Sequence, residues 1–316
     1  MIEAASPSAA RMTAPAVAME SPEKVLRRLE FTVVRRLDGF LFGDYRGLFY
    51  GPSLDLAEVR EYQPGDEVRR IDWNVTARMN RLYIRQYLEE RELTAWLLVD
   101  LSPSMEFGTR RHLKREVAAE FAAVAAYIIT RHGDKVGVLA FPGRALPVIP
   151  PRAGRTQALR ILQVLSRSGE GEGGLTDLSA ALRHAARIVR RRRFIFLVSD
   201  FLAPPGWEAA LRDLANYHDV IGVWVRDPAE EDLPDVGVLP IRDPETGQQV
   251  WVDSSDRRVR AAYREAAVSR ESGVRDALRR ARVDLLELST ASSMVEPLVQ
   301  FVTVRRKAGR WRSPGR

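Results

Sequence analysis

The chain has 316 residues, which is enough for one large domain or two smaller ones, and its 45% hydrophobic and 29% charged residues are typical of a globular protein. It contains no cysteine, so disulfide bridges, thiolate zinc sites and cysteine nucleophiles are excluded, and a reducing, cytoplasmic compartment is expected. Much of its net charge of +7 belongs to residues 305–316, which hold six basic residues and no acidic one, so we expect a short basic tail and no nucleic-acid partner.

The first part of the chain is expected to contain a disordered leader, a helix and a small β-rich region. Residues 1–20 are rich in Ala, Ser and Pro and do not resemble a secretory signal. A helix is predicted from Ser21, and its apolar stripe at helical spacing consists of Val25, Leu26, Leu29, Val33 and Leu37. Short alternating runs predict that the rest of 21–92 is β-rich, with Trp73 in its core. No stretch is long enough for a membrane span.

Strands and helices alternate in the sequence over residues 93–304. The runs "LTAWLLVD" and "FIFLVSD" are continuously apolar, as is typical of strands buried on both faces of a sheet. A helix between them is predicted to end at Gly133, and further helices are predicted near 207–217 and over about 255–280. Two hairpins are predicted around "PGRA" and "DPETG". This alternation predicts an α/β, Rossmann-like, mostly parallel sheet with helices on both faces.

Oxygen-bearing side chains follow the two buried strands. Asp100, Ser102 and Ser104 follow the first strand at alternating positions, Asp200 ends the second, and Thr176 follows the glycine-rich loop "GEGEGG". Ligands of parallel sheets bind beyond the carboxyl ends of the strands, and hard oxygen donors suit Mg²⁺ or Mn²⁺. The alternative is that the aspartate and the serines only cap the helix that follows them.

Three segments, "VDLSPSM", "GGLTDL" and "LVSD", resemble the three parts of a metal-ion-dependent adhesion site in a von Willebrand factor type A domain. The resemblance covers about 93–304. It implies that Asp100, Ser102, Ser104, Thr176 and Asp200 hold the metal, and that an acidic residue of a partner fills the remaining coordination position. Asp177 is an alternative donor in the second segment, although it is also suited to cap the next helix.

The upstream segment "VREYQPGDEVRRIDWNVTARMNRLYIRQYLEERE", residues 59–92, resembles the bacterial family called domain of unknown function 58. In that family, Tyr-x-Pro-Gly-Asp and Ile-Asp-Trp precede a type A domain, and a hairpin similar to "LPIRDPETGQQVWVD" is typical. The resemblance implies a partner, a MoxR-type AAA+ ATPase, and not a reaction. From the residues themselves, Asp66, Arg69 and Asp72 are expected to form charge-assisted pairs that fix the small region in place.

Signatures of catalysis are missing from the sequence. There is no Gly-x-Ser-x-Gly elbow and no nucleotide-binding P-loop, and the spacing of His112, His132, His184 and His218 predicts solvated residues and not ligands. Ser102 stands where a phosphatase of the haloacid dehalogenase type needs a second aspartate. We therefore expect a non-enzymatic, metal-dependent protein-interaction module. Two alternatives are a metal-dependent hydrolase that uses the same pocket and a scaffold whose site stays empty.

Overall fold

The computed structural model describes residues 21–35, 58–64, 66–68, 71–86, 93–110, 112–141, 148–167, 177–244 and 246–307. The elements before the main sheet are helix α1 (Pro22–Leu29), which continues as a π-helical segment (Glu30–Val34), strand β1 (Glu58–Glu61), helix α2 (Trp73–Met79) and strand β2 (Tyr83–Gln86).

The main unit follows in chain order. Its first half consists of β3 (Thr94–Asp100), a 3-10 turn (Pro103–Glu106), α3 (Lys114–Arg131), β4 (Lys135–Phe141), β5 (Val148–Arg152), α4 (Arg155–Arg167), α5 (Leu178–Ile188) and β6 (Phe194–Ser199). Its second half consists of α6 (Trp207–Tyr217), β7 (Asp219–Arg226), a 3-10 turn (Pro228–Glu230), β8 (Val238–Arg242), β9 (Gln249–Asp253), α7 (Arg257–Arg280), β10 (Asp284–Ser289) and α8 (Val295–Lys307).

The small N-terminal region contains two short strands, as predicted, and one helix that was not predicted. Strands β1 and β2 pair antiparallel, but α2 lies between them in the chain. The Asp72 carboxylate caps α2 by accepting hydrogen bonds from the backbone N–H groups of Asn74 and Val75. Trp73, in the first turn of this helix, is 66% exposed, so the prediction that it is a core residue is wrong. Asp66 accepts a hydrogen bond from the backbone of Gln63, and the predicted partner Arg69 lies outside the described residues.

Six strands form the main sheet in the order β10-β7-β6-β3-β4-β5. All neighbouring strands run parallel except β4 and β5, which form the predicted hairpin. Strands β3 and β6 are central, and their apolar side chains are buried on both faces, as their continuous apolar sequences predict. The predicted α/β, mostly parallel architecture is confirmed.

Helices cover both faces of this sheet. Apolar side chains of α1, α3, α4 and α8 pack on one face, around Phe121 and Phe196, whose rings meet edge to face. Side chains of α5, α6 and α7 pack on the other, around Trp207 and Trp224. None of the described helices is both long and apolar enough to cross a membrane.

The winding of the chain reverses between β3 and β6. After β3 the chain adds β4 and β5 on one side, and after β6 it adds β7 and β10 on the other. The carboxyl ends of β3 and β6 therefore flank the crevice where sheets of this kind bind ligands. Asp100 ends β3 and Asp200 directly follows β6, so the fold brings these two predicted residues to the same edge.

The last helix, α8, includes the first residues of the predicted basic tail. Arg305 is buried in α8, and its guanidinium donates to both carboxylate oxygens of Asp219 at 3.0 Å. The predicted basic tail was therefore placed too early at residue 305, because this arginine is part of the folded unit. Residues 308–316 lie outside the described residues.

Candidate metal-binding site

The Asp100 carboxylate lies at the end of β3 and is buried. Its Oδ1 accepts a hydrogen bond from the backbone N–H of Ser102 at 2.9 Å, and its Oδ2 accepts one from the hydroxyl of Ser199 at 2.6 Å. Ser199 ends the neighbouring strand β6, so the carboxylate is held by the junction of two strands. Both of these donors are neutral, so no cation from the described part of the chain hydrogen-bonds to this carboxylate.

The hydroxyl groups of Ser102 and Ser104 lie beside each other in the loop that follows β3. Their oxygens are 2.9 Å apart and both residues are buried. Ser102 occupies the N-cap position of the 3-10 turn, but its side chain makes no capping hydrogen bond. The capping alternative therefore does not account for the Ser102 hydroxyl, which is directed to Ser104 instead.

Asp200 has a charged partner that the sequence did not lead us to expect. Its Oδ1 accepts a hydrogen bond from the backbone of Leu202, and its Oδ2 lies 2.6 Å from the Lys114 ammonium. Lys114 is the first residue of α3 and its side chain is 0% exposed. Its ammonium also lies 2.5 Å from Glu230, in the 3-10 turn after β7. One buried cation thus joins two carboxylates from different strand ends.

Thr176, the fifth predicted ligand, lies outside the described residues, so its position relative to the other four stays a prediction. Its neighbour Asp177 is described and caps α5, because its carboxylate accepts a hydrogen bond from the backbone of Ala180 at 2.7 Å. Asp177 therefore has the capping role that was weighed for it.

The electrostatics of Asp100 and Lys114 differ. Burial and the nearby negative charge of Asp200 raise the pKa of the Asp100 carboxyl to about 7, although hydrogen bonds from Ser199 and Ser102 act in the opposite direction. Burial alone lowers the pKa of Lys114, but the carboxylates of Asp200 and Glu230 outweigh it and raise this pKa above its ordinary value. Lys114 is therefore charged, and it balances Asp200 and not Asp100.

A second polar cluster adjoins the site. The buried Asp227 carboxylate follows β7 and accepts hydrogen bonds from the backbone and hydroxyl of Thr109, the hydroxyl of Thr290 and the backbone of Ala229. Burial raises the pKa of this carboxyl, but the four hydrogen bonds outweigh that effect and hold it below its ordinary value. Asp227 thus ties the loop after β3 to the ends of β7 and β10.

The sequence contained a signal for Lys114 and Asp227 that sequence reasoning missed. Lys114 precedes the buried residues Ala118 and Phe121 at helical spacing, so it belongs to the apolar stripe of α3. Asp227 follows a buried strand in "VWVRD", as Asp100 does in "WLLVD". The prediction of solvated histidines is wrong for His218, which is buried at the start of β7.

The donor set is suited to a hard cation. No group of three or more histidine, aspartate or glutamate side chains placed to hold a metal occurs within the described ranges. The donors that converge are the hydroxyls of Ser102 and Ser104 and the carboxylate of Asp100, which forms no ion pair with a basic side chain of the described residues. Oxygen donors of this kind fit Mg²⁺ or Mn²⁺, which keep several water ligands when bound to proteins.

Comparison with known proteins gives both family and structural matches. The family model described as "Protein of unknown function DUF58" matches residues 58–273. An uncharacterized protein of Mycobacterium tuberculosis is 38% identical over 283 residues, which is 89% of each chain. Among solved structures, BatB from Bacteroides thetaiotaomicron matches 68% of this chain and 99% of its own with 17% identity and a TM-score of 0.45. The SpRpn10 VWA domain matches 66% of this chain and 95% of its own with 12% identity and a TM-score of 0.35.

Proposed function

The chain belongs to the DUF58 family of proteins of unknown function, and we propose that it is a non-enzymatic protein-interaction module that binds a divalent cation through Asp100, Ser102 and Ser104. The observation that carries this proposal is the convergence of these three buried side chains at the switch point of the sheet. Thr176 completes the proposed set, and Asp200 supports it from the neighbouring strand end. Mg²⁺ is the proposed ion, with Mn²⁺ as a substitute of the same preference for oxygen.

The charge balance supports capture of an acidic partner. Lys114 already balances Asp200, so Asp100 is the carboxylate available to balance the cation. When bound, a divalent cation would supply a positively charged coordination position for an oxygen ligand from outside the chain. A carboxylate of a protein partner fits this position, because one charge of the ion is left unbalanced by the protein's own ligands.

The partners of the site residues favour binding over hydrolysis. Asp200 is held by the Lys114 ammonium, and its other oxygen accepts a hydrogen bond from the backbone of Leu202. Ser102 stands where a hydrolase of the haloacid dehalogenase type needs a second carboxylate as general acid or base. We propose a MoxR-type AAA+ ATPase as the partner and the cytoplasm as the location, the latter because the chain has no cysteine.

The cation site is tested by calorimetric titration of the purified full chain with Mg²⁺, and by loss of the free Mn²⁺ signal in electron paramagnetic resonance. We expect Asp100→Asn and Ser102→Ala to weaken binding at least about tenfold, because each removes a proposed oxygen ligand. Ser254→Ala is the matched control, since Ser254 is an equally buried serine outside the site. Binding that is unchanged in Asp100→Asn, or a wild-type chain that binds neither ion, would contradict the proposal.

Partner capture is tested with a purified MoxR-type ATPase and the purified chain. We expect binding with Mg²⁺, loss of binding with a chelator, and loss in Asp100→Asn but not in Ser254→Ala. Binding that persists in the chelator would show that the two proteins meet through another surface. Turnover of phosphate esters that depends on Mg²⁺ and disappears in Asp200→Ala would instead favour the hydrolase alternative.

A further inference from the structure

The hairpin formed by β8 and β9 carries a concentration of exposed apolar side chains. Trp251 is 66% exposed and Val238 is 62% exposed, and Val236 and Val250 are exposed as well. The pairing places Trp251 directly opposite Pro240, on the same face as Val238. A two-stranded hairpin is marginally stable in water by itself, and exposed apolar groups of this size mark interaction surfaces more often than single exposed residues do.

The hydrogen-bond ladder shows which edge of the hairpin is closed. At its two ends, the backbone N–H of Asp243 donates to the carbonyl of Gln248, and that of Ser254 donates to the carbonyl of Gly237. Hydrogen-bonded and non-hydrogen-bonded pairs alternate in an antiparallel ladder, so the pair of Pro240 and Trp251 is not hydrogen-bonded. The backbone groups of these two residues therefore face outward. Because Pro240 has no N–H, it closes the outer edge of β8 to strand pairing.

The outer edge of β9 has no such block. By the same alternation, Gln249, Trp251 and Asp253 direct their backbone N–H and C=O groups away from β8. Within the part of the chain that the structure describes, these outward groups have no backbone partner. We propose that the outer edge of β9 pairs antiparallel with β9 of a second copy of this chain, which joins the two hairpins into one four-stranded sheet.

A second copy fits this edge because the edge is complementary to itself. A two-fold axis at Trp251 sets this residue opposite its equivalent and sets Gln249 opposite Asp253 of the second copy, so an amide faces a carboxylate and no like charges meet. The same axis carries the turn of one hairpin, with Asp243, toward the base of the other. The base is followed by the exposed Arg257 and Arg258 at the start of α7, which makes the two ends of the joined sheet complementary in charge.

Sedimentation velocity of the full chain over a range of concentrations tests this dimer. We expect a monomer–dimer equilibrium in the wild type. Gln249→Pro removes an outward N–H without removing a hydrogen bond of the hairpin, and Trp251→Lys sets two like charges opposite each other, so each should weaken the dimer at least about tenfold. Val238→Lys is the control, because it adds the same charge to the same face of the hairpin but on β8, whose outer edge is closed to strand pairing by Pro240. Thermal melting of each variant checks that the chain remains folded.

Site-specific cross-linking gives a second readout, because the chain has no cysteine of its own. In Trp251→Cys, diamide should oxidise the two thiols at the axis to one disulfide and take up their two protons and two electrons. Val238→Cys should give much less of the cross-linked product. A wild-type chain that stays monomeric at all concentrations would overturn the proposal. It would favour pairing of the β9 edge with a strand of a different protein. A dimer that is insensitive to Gln249→Pro and Trp251→Lys would overturn it as well.

Discussion

At the scale of single residues, the Lys114 ammonium decides how charge is balanced beside the candidate site. It lies within 2.6 Å of Asp200 and 2.5 Å of Glu230, and the side chain is fully buried. A buried ion pair contributes little compared with apolar residues of the same shape, but removal of one partner is costly because the other charge stays buried. Asp200 and Glu230 thus depend on the Lys114 ammonium to balance their negative charge.

Replacement of Lys114 by methionine keeps most of the side-chain volume and removes the charge. We expect Lys114→Met to lower the free energy of unfolding by about 3–5 kcal/mol, since Asp200 would be left as a buried, unbalanced carboxylate. Urea denaturation measures this change. Lys24→Met, at an exposed position of α1, is the control and should change the free energy by less than about 0.5 kcal/mol. An equally small effect of Lys114→Met would mean that the ammonium does not balance Asp200 in solution.

The sequence was more informative about the oxygen donors of the site than about this cation, whose one signal was the position of Lys114 on the apolar stripe of α3. Asp100 and Asp200 could be predicted because each ends a continuous apolar run, and the edge of a parallel sheet is where such ends meet. Lys114 was missed because a lysine on a helix is almost always exposed, and its burial depends on carboxylates that are distant in the sequence. Tertiary partners of this kind are invisible to local pattern analysis.

At the scale of elements, β7 begins beside a histidine that the fold keeps neutral. His218 is 4% exposed, and its Nδ1 accepts a hydrogen bond from the backbone of Arg193. Burial, and after it the positive charges of Arg192 and Arg193, lower the pKa of His218 from 6.5 to about 4. Since His218 is the one residue between the end of α6 and the start of β7, its protonation state affects the junction between these two elements.

The depressed pKa of His218 predicts a loss of stability in acid. Well above pH 6.5 the imidazole is neutral in the folded and the unfolded state, so the full stability is present; as the pH falls through 6.5 toward 4, the unfolded chain takes up the proton and the folded chain does not. We expect this one group to lower the free energy of unfolding by about 3 kcal/mol between these values. In His218→Gln the decrease in the free energy of unfolding over this pH interval should be smaller by about 3 kcal/mol. Asn216→Gln, at an exposed and non-titrating position of α6, should retain the wild-type pH dependence, and parallel curves for all three proteins would refute the assignment.

Most elements of the main unit could be predicted, and so could α1, β1 and β2 before it, whereas helix α2 could not. The strands of the main sheet are continuous apolar runs, and the helices between them have clear apolar stripes, so local pattern and tertiary packing agree. Around Trp73, the local sequence pattern and the tertiary packing disagree. The sequence offered a large aromatic residue among short alternating runs, but Asp72 caps a helix there and the indole is exposed. The exposure of one aromatic residue depends on what packs against it, which periodicity does not report.

At the scale of the whole molecule, Asp227 holds together segments that are far apart in the sequence. Its carboxylate accepts hydrogen bonds from Thr109, Ala229 and Thr290, which lie in the loop after β3, in the turn after β7 and directly after β10. These hydrogen bonds form one polar network that holds the carboxyl edge of the sheet in place. The candidate site lies at this edge, and its geometry depends on residues that do not contact it.

Asparagine at position 227 preserves the shape of the side chain but replaces one acceptor oxygen with a donor. We expect Asp227→Asn to lower the free energy of unfolding by about 2–4 kcal/mol, because buried donors from Thr109 or Thr290 would then face an N–H group. Thermal or urea unfolding measures the change. Asp213→Asn, at an exposed position of α6, is the matched control and should be nearly neutral. Equal stability of the two variants would show that the network does not hold this edge.

The full burial of Lys114 also makes it a chemical reporter. The chain has only four lysines, Lys24, Lys114, Lys135 and Lys307. An acylating reagent reacts with an amine only when it is accessible and unprotonated, so modification of Lys114 requires that α3 separate from the end of β6. The rate at which this one amine is acylated, resolved by peptide mass spectrometry, therefore measures how often the edge of the sheet opens. If a cation binds beside Asp100 and tightens that edge, the reaction should slow in proportion to the occupancy of the site.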